Sequence, residues 1–233
     1  MNEDKVTVIV PAAGKGIRMN HSLPKQFLPI GGKPILAHTL LNLNRIPDVD
    51  SIIVVVNEGR IRWCREKVVN RFGIEKVKKV IKGGSTRQQS VSNGLKSLEE
   101  STRIVVIHDG ARPFITVDIL RRVVDKAKRY GAAICAIPVQ DTLKKVADNT
   151  QVESTSNRNS LWLVQTPQAF LSSLLLKAYE KALTDGYEGT DDSAVVERLP
   201  HPVKIVEGSP LNIKVTTPQD LILAEAILER GEW

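Results

Sequence analysis

The chain has 233 residues, 42% hydrophobic, 25% charged and 4% aromatic, with a formal net charge of +7. That length buries one substantial core, and the composition excludes a disordered chain, while no apolar run is long enough to cross a bilayer. The positive charge suits an anionic partner without choosing among a small phosphate, a membrane surface and nucleic acid, although so few aromatics leave little material for base-stacking platforms.

Along the chain, strand signals recur at Val6 to Val10, Ile52 to Val56, Val77 to Ile81, Ile104 to His108, Ala132 to Pro138 and Pro202 to Val206, with helical stretches between most of them. This alternation predicts an α/β fold whose first five strands form a Rossmann-like doubly wound, mostly parallel sheet flanked by helices. Pro34 opens a helix through Leu36, Leu40 and Leu43. Thr116 and Asp118 open a second carrying Ile119, Leu120, Val123 and Val124, and Thr217-Pro218-Gln219-Asp220 caps a last one with Leu221, Leu223, Ala224 and Ile227. Between Pro138 and Gln165 the pattern gives way to a polar run from Asp141 to Val152, which reads as two strands joined by an Asp-Asn turn. Such a hairpin is poorly covered by its own domain, so it either swings in solvent or packs on another subunit. The expectation is one domain over residues 1–233, with an arm at about 139–163.

The N-terminus lacks the charged-then-apolar pattern of a secretory signal, so the expected location is the cytoplasm. Cys135 lies in the apolar run Ala132 to Ile137 and reads as a packed thiol. His21, His38, His108 and His201 show no paired ligand spacing, so no structural zinc is expected.

The most informative segment follows the first strand: Pro11-Ala12-Ala13-Gly14-Lys15-Gly16-Ile17-Arg18-Met19, then Lys25-Gln26. Two glycines allow a ligand close to exposed amide hydrogens, and Lys15, Arg18 and Lys25 supply positive charge where a polyanion would lie, which suits a nucleoside triphosphate. The spacing is neither that of a P-loop, which needs Gly-x-x-x-x-Gly-Lys-Ser/Thr, nor that of a dinucleotide fingerprint, which needs a small residue where Met19 stands. Ligands of doubly wound sheets sit beyond the carboxyl ends of the strands. Several such places are chemically loaded here: Gly83-Gly84 leading to Arg87 and Ser90, His108-Asp109 leading to Arg112, and Asp141-Thr142 before Lys144. Arg87 reads as an anchor for a base or phosphate. Asp109 follows a buried strand and needs a partner, either Arg112 in a structural ion pair or a ligand's ribose hydroxyl or metal ion. Lys214, between Ile213 and Val215, is expected to leave the core face at the end of a strand.

Eight blocks in order carry a resemblance: Pro11-Ala12-Ala13-Gly14-x-Gly16-x-Arg18-Met19, Pro24-Lys25-Gln26, Gly83-Gly84-x-x-Arg87-x-x-Ser90-Val91, His108-Asp109-x-Ala111-Arg112-Pro113, Asp141-Thr142-x-Lys144, Trp162-x-x-Gln165-Thr166-Pro167-Gln168, Thr190-Asp191-Asp192 and Asn212-x-Lys214-Val215-Thr216. Together they resemble the 2-C-methyl-D-erythritol 4-phosphate cytidylyltransferases. The resemblance implies transfer of a cytidylyl group from CTP to methylerythritol phosphate with release of pyrophosphate, in the non-mevalonate route to isoprenoids, with Mg2+ on the triphosphate. It implies that Arg18, Lys25 and Lys214 are catalytic and that Lys15 lies along the triphosphate. Ala12, Ala13, Gly14, Gly83 and Ser90 would read the cytosine, Asp109 would meet ribose or magnesium, and Arg112, Thr142 and Thr190 would receive the acceptor. It further implies a homodimer in which the β-arm supplies Arg158 to the partner's site. The ribitol 5-phosphate cytidylyltransferases share the nucleotide half of this pattern, leaving a second acceptor open. A non-enzymatic nucleic-acid-binding protein is the remote alternative; cations tied to distant glycine turns, not gathered in one stripe or recognition helix, argue against it.

Overall fold

The computed structural model describes residues 4–14, 24–148 and 150–231. In chain order its elements are β1 (Lys5–Ala12), the two-residue strands β2 (Pro29–Ile30) and β3 (Lys33–Pro34), α1 (Ile35–Arg45), β4 (Ser51–Val56), α2 (Ile61–Cys64), β5 (Val77–Lys82), α3 (Arg87–Leu95), β6 (Thr102–Ile107), α4 (Val117–Tyr130), β7 (Ala132–Pro138), β8 (Lys144–Ala147), β9 (Gln151–Thr155), β10 (Trp162–Leu171), α5 (Ser172–Thr184), α6 (Asp192–Val196), β11 (Lys204–Glu207) and α7 (Pro218–Arg230).

A seven-stranded sheet runs in the order β11-β7-β10-β6-β1-β4-β5. The strands β6, β1, β4 and β5 pair in parallel, as do β7 and β11. Their side chains alternate between two apolar layers, which is why these strands read as nearly continuous hydrophobic runs. Val6, Val8 and Val10 of β1 face Leu36, Leu40 and Leu43 of α1 and Val123 of α4 on one side. Ile9, with Ile53 and Val55, meets Val91 of α3 and Leu175 and Ala178 of α5 on the other. Helices thus cover both faces of a mostly parallel sheet, the doubly wound α/β class expected from the alternation.

The helix starts follow local chemistry. The Thr116 hydroxyl accepts the Ile119 amide at the head of α4. At α7 Thr217 and Asp220 form a reciprocal capping box with Pro218 in the first turn. That helix packs Ala224 and Ile227 on Ile30, Ile35, Phe114 and Val215, a satellite core that ties the C-terminal segment to the residues after Lys25.

One strand gave no signal in the sequence, and one expectation needs correction. Trp162–Leu171 forms β10, inserted between β6 and β7 and antiparallel to both. A proline and three polar residues argue against a central strand, and the structure shows how they are accommodated. Pairing with β7 breaks between Val164 and Gln168, so Gln165, Thr166 and Pro167 leave the ladder and are released for other contacts. Lys214, for its part, stands in an irregular segment and not at the end of a strand.

The polar run does form the expected hairpin. Its strands β8 and β9 pair only with each other, every residue of both is exposed, and Asp148 takes a positive φ of 48° in the connecting turn. The arm leaves the sheet where Pro138 pairs with Trp162.

Candidate active site

Parallel pairing of β1, β4, β5 and β6 brings their carboxyl ends to one rim, and the loops that follow build a cleft there. After β1 the chain passes through Ala13 to Gly14. Gln26, buried in the 3-10 turn Lys25–Phe27, donates its side-chain amide to the carbonyls of Ala12 at 2.5 Å and Gly14 at 3.2 Å. This latch fixes the first residues of the glycine loop and sets the neighbouring Lys25 on the cleft wall. Opposite, a Cβ on Gly83 would lie 2.5 Å from that of Ala13 and 2.9 Å from Ser90 Oγ, so only glycine lets the β1 and β5 loops meet so closely. The Ser90 hydroxyl donates to the Thr86 carbonyl at 2.9 Å and accepts the Gly84 amide at 3.1 Å, which stiffens the turn into α3.

Ala12, Ala13, Gly14, Lys25, Ser90, Asp109 and Lys214 line this cleft, with Arg87. A second hollow begins at Arg87, Asp109 and Lys214 and continues past Arg112, Gln165, Thr166, Gln168 and Thr190. The structure therefore joins two compartments at one carboxylate and its cations. Thr142 and Arg158 belong to neither: both sit exposed at the arm, where Arg158 donates to the Gln140 carbonyl. Lys15 and Arg18 lie outside the described residues.

Asp109 is the electrostatic centre. Burial alone would raise its pKa, but Arg87, then Lys214 and Arg112, outweigh it and hold the carboxyl well below the usual range, so it is ionised at neutral pH. Its Oδ2 lies 2.7 Å from Lys214 Nζ and its Oδ1 3.3 Å from Arg87 Nε. Arg112 stands farther off, at 3.9 Å, and donates through Nη1 to the Asn212 carbonyl at 2.7 Å. Its pairing with Asp109 is thus secondary, and the leading partners are Lys214 and Arg87.

Lys214 is aimed by its neighbours. Asn212, wholly buried, donates to the Thr166 carbonyl at 2.8 Å, and the Val215 amide donates to the Ala111 carbonyl at 2.9 Å. The His108-to-Arg112 loop is pinned in turn by Thr39 Oγ1 on the Gly110 carbonyl at 3.1 Å. His108 is fully buried, and burial lowers its pKa to about 4. A carbonyl can only accept, so the contact from Nε2 to the Arg112 carbonyl at 3.1 Å places the proton on Nε2. Nδ1 then accepts from the Thr166 hydroxyl at 3.2 Å, and Thr166 Oγ1 accepts the Asp109 amide at 3.0 Å. This neutral relay orients the Asp109 backbone. Among the described residues no group of three or more His, Cys, Asp or Glu side chains could hold a metal ion.

Loops of this kind at a strand rim, two compartments sharing a carboxylate, and a lysine on each side of the cleft make a constellation that can be compared with known proteins. The family model described as 2-C-methyl-D-erythritol 4-phosphate cytidylyltransferase, IspD, matches residues 6–230. The chain belongs to that family. A 2-C-methyl-D-erythritol 4-phosphate cytidylyltransferase of Syntrophus aciditrophicus is 50% identical over 98% of this chain and 97% of its own. The crystal structure of 4-diphosphocytidyl-2C-methyl-D-erythritol synthase from Anaerococcus prevotii superposes with a TM-score of 0.84 at 32% identity, covering 97% of this chain and 99% of that one. The corresponding cytidylyltransferase structure from Thermus thermophilus gives 0.79 at 34%, covering 95% and 98%.

Within this IspD fold, some residues that shape the site carried no role in the sequence reading. Gln26, Thr166 and Asn212 were visible as motif letters, but their work is to hold carbonyls and hydroxyls of other loops. Tyr179 gave no signal at all, since it sits on the apolar stripe of α5 among Leu175 and Ala178. Its hydroxyl nevertheless donates to Asp192 Oδ1 at 2.6 Å.

Proposed function

We propose that the chain transfers the cytidylyl group of CTP to the phosphate of 2-C-methyl-D-erythritol 4-phosphate, a step in isoprenoid biosynthesis by the non-mevalonate route. An acceptor phosphate oxygen attacks the α-phosphorus of CTP, the bond from that phosphorus to the bridging oxygen breaks, and pyrophosphate leaves with the electron pair. Nothing in this exchange calls for a covalent enzyme intermediate; it calls for alignment and cancellation of charge on a crowded phosphorus.

The observation that carries this reading is the meeting of the two compartments at Lys214 and Asp109. A triphosphate in the glycine-walled cleft and an acceptor phosphate in the hollow beside Arg112 and Thr190 would share that boundary. Lys214 and Lys25, joined by Arg18 from the loop, would offset the charge that develops there. The glycine turns would let the cytosine edge approach backbone groups of Ala12 to Gly14 and Gly83. Lys15 would lie along the triphosphate, and Ser90 would border the base.

Mg2+ fits as a metal carried mainly by CTP oxygens. The cleft offers one ionised carboxylate, Asp109, and magnesium sites of this kind take one or two carboxylates with substrate phosphates supplying the rest. Bound there, the ion would neutralise the triphosphate and ease departure of pyrophosphate.

The arm supports a homodimer. Val146 and Val152 on β8 and β9 are 50% and 56% exposed, and Leu163 at its base is 54% exposed. A hairpin so uncovered gains by packing on a second subunit, and this would carry Thr142 and Arg158 to the partner's acceptor hollow. A cytoplasmic location is part of this proposal; among the described residues no helix is long and apolar enough to cross a membrane.

The test is incubation with each of four nucleoside triphosphates and methylerythritol phosphate, followed by phosphorus NMR, with ribitol 5-phosphate as the competing acceptor. A diphosphate diester and pyrophosphate should form with CTP and methylerythritol phosphate. Product with ribitol 5-phosphate alone would reassign the acceptor, and no product with any pair would overturn the reading.

A further inference from the structure

Arg87 is read from sequence as an anchor for a base or phosphate, yet its guanidinium is already committed. It donates through Nη2 to Asp192 Oδ2 at 2.7 Å and through Nε to Asp109 Oδ1 at 3.3 Å. Asp192 is fully buried at the head of α6, and its other oxygen accepts the Tyr179 hydroxyl at 2.6 Å. A continuous chain of charge-assisted hydrogen bonds therefore runs from α5 through Tyr179, Asp192, Arg87 and Asp109 to Lys214. It crosses the boundary between the two compartments, because Arg87 opens α3 on the nucleotide side and Asp192 follows Thr190 on the acceptor side. The next residue, Gln88, makes an uncharged version of the same link: its amide donates to the Tyr187 carbonyl at 2.9 Å and its oxygen accepts the Gly189 amide at 2.8 Å.

Charge counting sharpens the role. Arg87, Arg112 and Lys214 bring three positive charges to this cluster, and Asp109 with Asp192 brings two negative ones. Without Asp192, Arg87 would compete with Lys214 for the single carboxylate of Asp109. With Asp192 in place, the planar fork of Arg87 is spent on two carboxylates at once, and Asp109 keeps an oxygen for Lys214. Lysine is a point charge that cannot hold both in fixed directions.

We propose that Arg87, clamped by Asp192 and Tyr179, is a positioning residue that registers Lys214 and the Thr190 loop against one another, and is not a ligand of the nucleotide. This deepens the cytidylyl-transfer reading and rests on it. Geometry set to within an ångström decides reactivity, so loosening the clamp lowers turnover while the glycine cleft still accepts CTP.

The test uses Arg87→Lys, Asp192→Asn, Tyr179→Phe, the pair Arg87→Lys with Asp192→Asn, and Gln88→Ala, in the full chain. Thermal unfolding and calorimetric CTP binding without acceptor are measured beside kcat and both KM values. Arg87→Lys and Asp192→Asn should each lower kcat by roughly 10- to 100-fold, with CTP affinity held within about threefold. Tyr179→Phe should fall in the same direction by less. The double variant should lose no more than the worse single one, since both break one clamp. Gln88→Ala should raise KM for methylerythritol phosphate with little change in kcat. Loss of CTP affinity in proportion to activity in Arg87→Lys would make Arg87 a nucleotide ligand and overturn the proposal. So would losses that multiply in the double variant, or unchanged kcat in both singles. Tyr179→Phe keeps the test open should Asp192→Asn fail to fold. Wild-type protein that binds no CTP and turns over no acceptor would strike at the proposed function instead, a separate outcome.

Discussion

Replacing Gly83 by alanine tests whether the meeting of the β1 and β5 loops forms the nucleotide cleft. The added Cβ would stand 2.5 Å from Ala13 Cβ and 2.9 Å from Ser90 Oγ. Carbon atoms in contact sit about 3.5–4.0 Å apart, so one loop must withdraw by roughly 1 Å. Neither neighbour is the far end of a flexible chain: Ala13 follows the central strand, and Ser90 is tied to Thr86 and Gly84. Overpacking of this kind costs about 1–3 kcal/mol, which for a chain of this size lowers Tm by roughly 2–12 °C. Displacing a cleft wall by that distance should lower kcat/KM for CTP by roughly 10²-fold. Gly14→Ala is the matched control. Among the described residues nothing lies within 4 Å of its added Cβ, so Tm should hold while CTP binding weakens, the methyl group occupying ligand space. Differential scanning calorimetry and initial rates at varied CTP read both effects. Gly83→Ala protein with wild-type Tm and kcat/KM would refute the steric argument.

Lys25→Ala and Lys214→Ala should each slow turnover roughly 10²- to 10³-fold, as loss of one preorganised donor does, and near-normal rates in both purified variants would remove them from catalysis. His108 predicts a pH dependence of stability. Its folded pKa of about 4 lies below the ordinary 6.5, so the unfolded chain takes up the proton first and the stabilisation is intact above pH 6.5 and lost on descending towards 4. The loss is about 3 kcal/mol, to which His38, also lowered by burial, adds in the same direction below pH 6.5. Denaturant midpoints across that range should fall less steeply in His108→Gln, and an identical slope would argue against a buried neutral imidazole. Burial pushes the thiols of Cys64 and Cys135 up to about 12 and about 11. At pH 8 their thiolate fractions are roughly 10⁻⁴ and 10⁻³, so folded protein should resist iodoacetamide and the unfolded chain should not.

Much of this was legible without coordinates. The continuous apolar runs of β1, β4, β6 and β7 declare strands covered on both faces, and the glycine and cation segments after β1 and β5 line the cleft at their rim. Thr116, Thr217 and Pro218 announce their helices because capping is settled within four residues. The polar hairpin was readable for the same reason, its turn and alternation being local. Ala12 to Gly14 and Asp109 could be picked out as candidates because buried strands end there, whereas Ser90 and Lys214 drew their roles from the motifs that carry the resemblance.

What tertiary structure alone decided is which distant groups satisfy one another. β10 escaped the periodicity because Gln165, Thr166 and Pro167 interrupt it, and only the insertion between β6 and β7 makes a strand of it. Asp109 could have relied on Arg112, three residues away, but its nearer partners are Lys214 and Arg87, because parallel pairing brings their loops together at one rim. A residue's propensity and periodicity are local properties fixed by its own stretch of chain. The partner of a buried charge is set by which loops share a sheet edge, and that information enters only when the strands have been ordered.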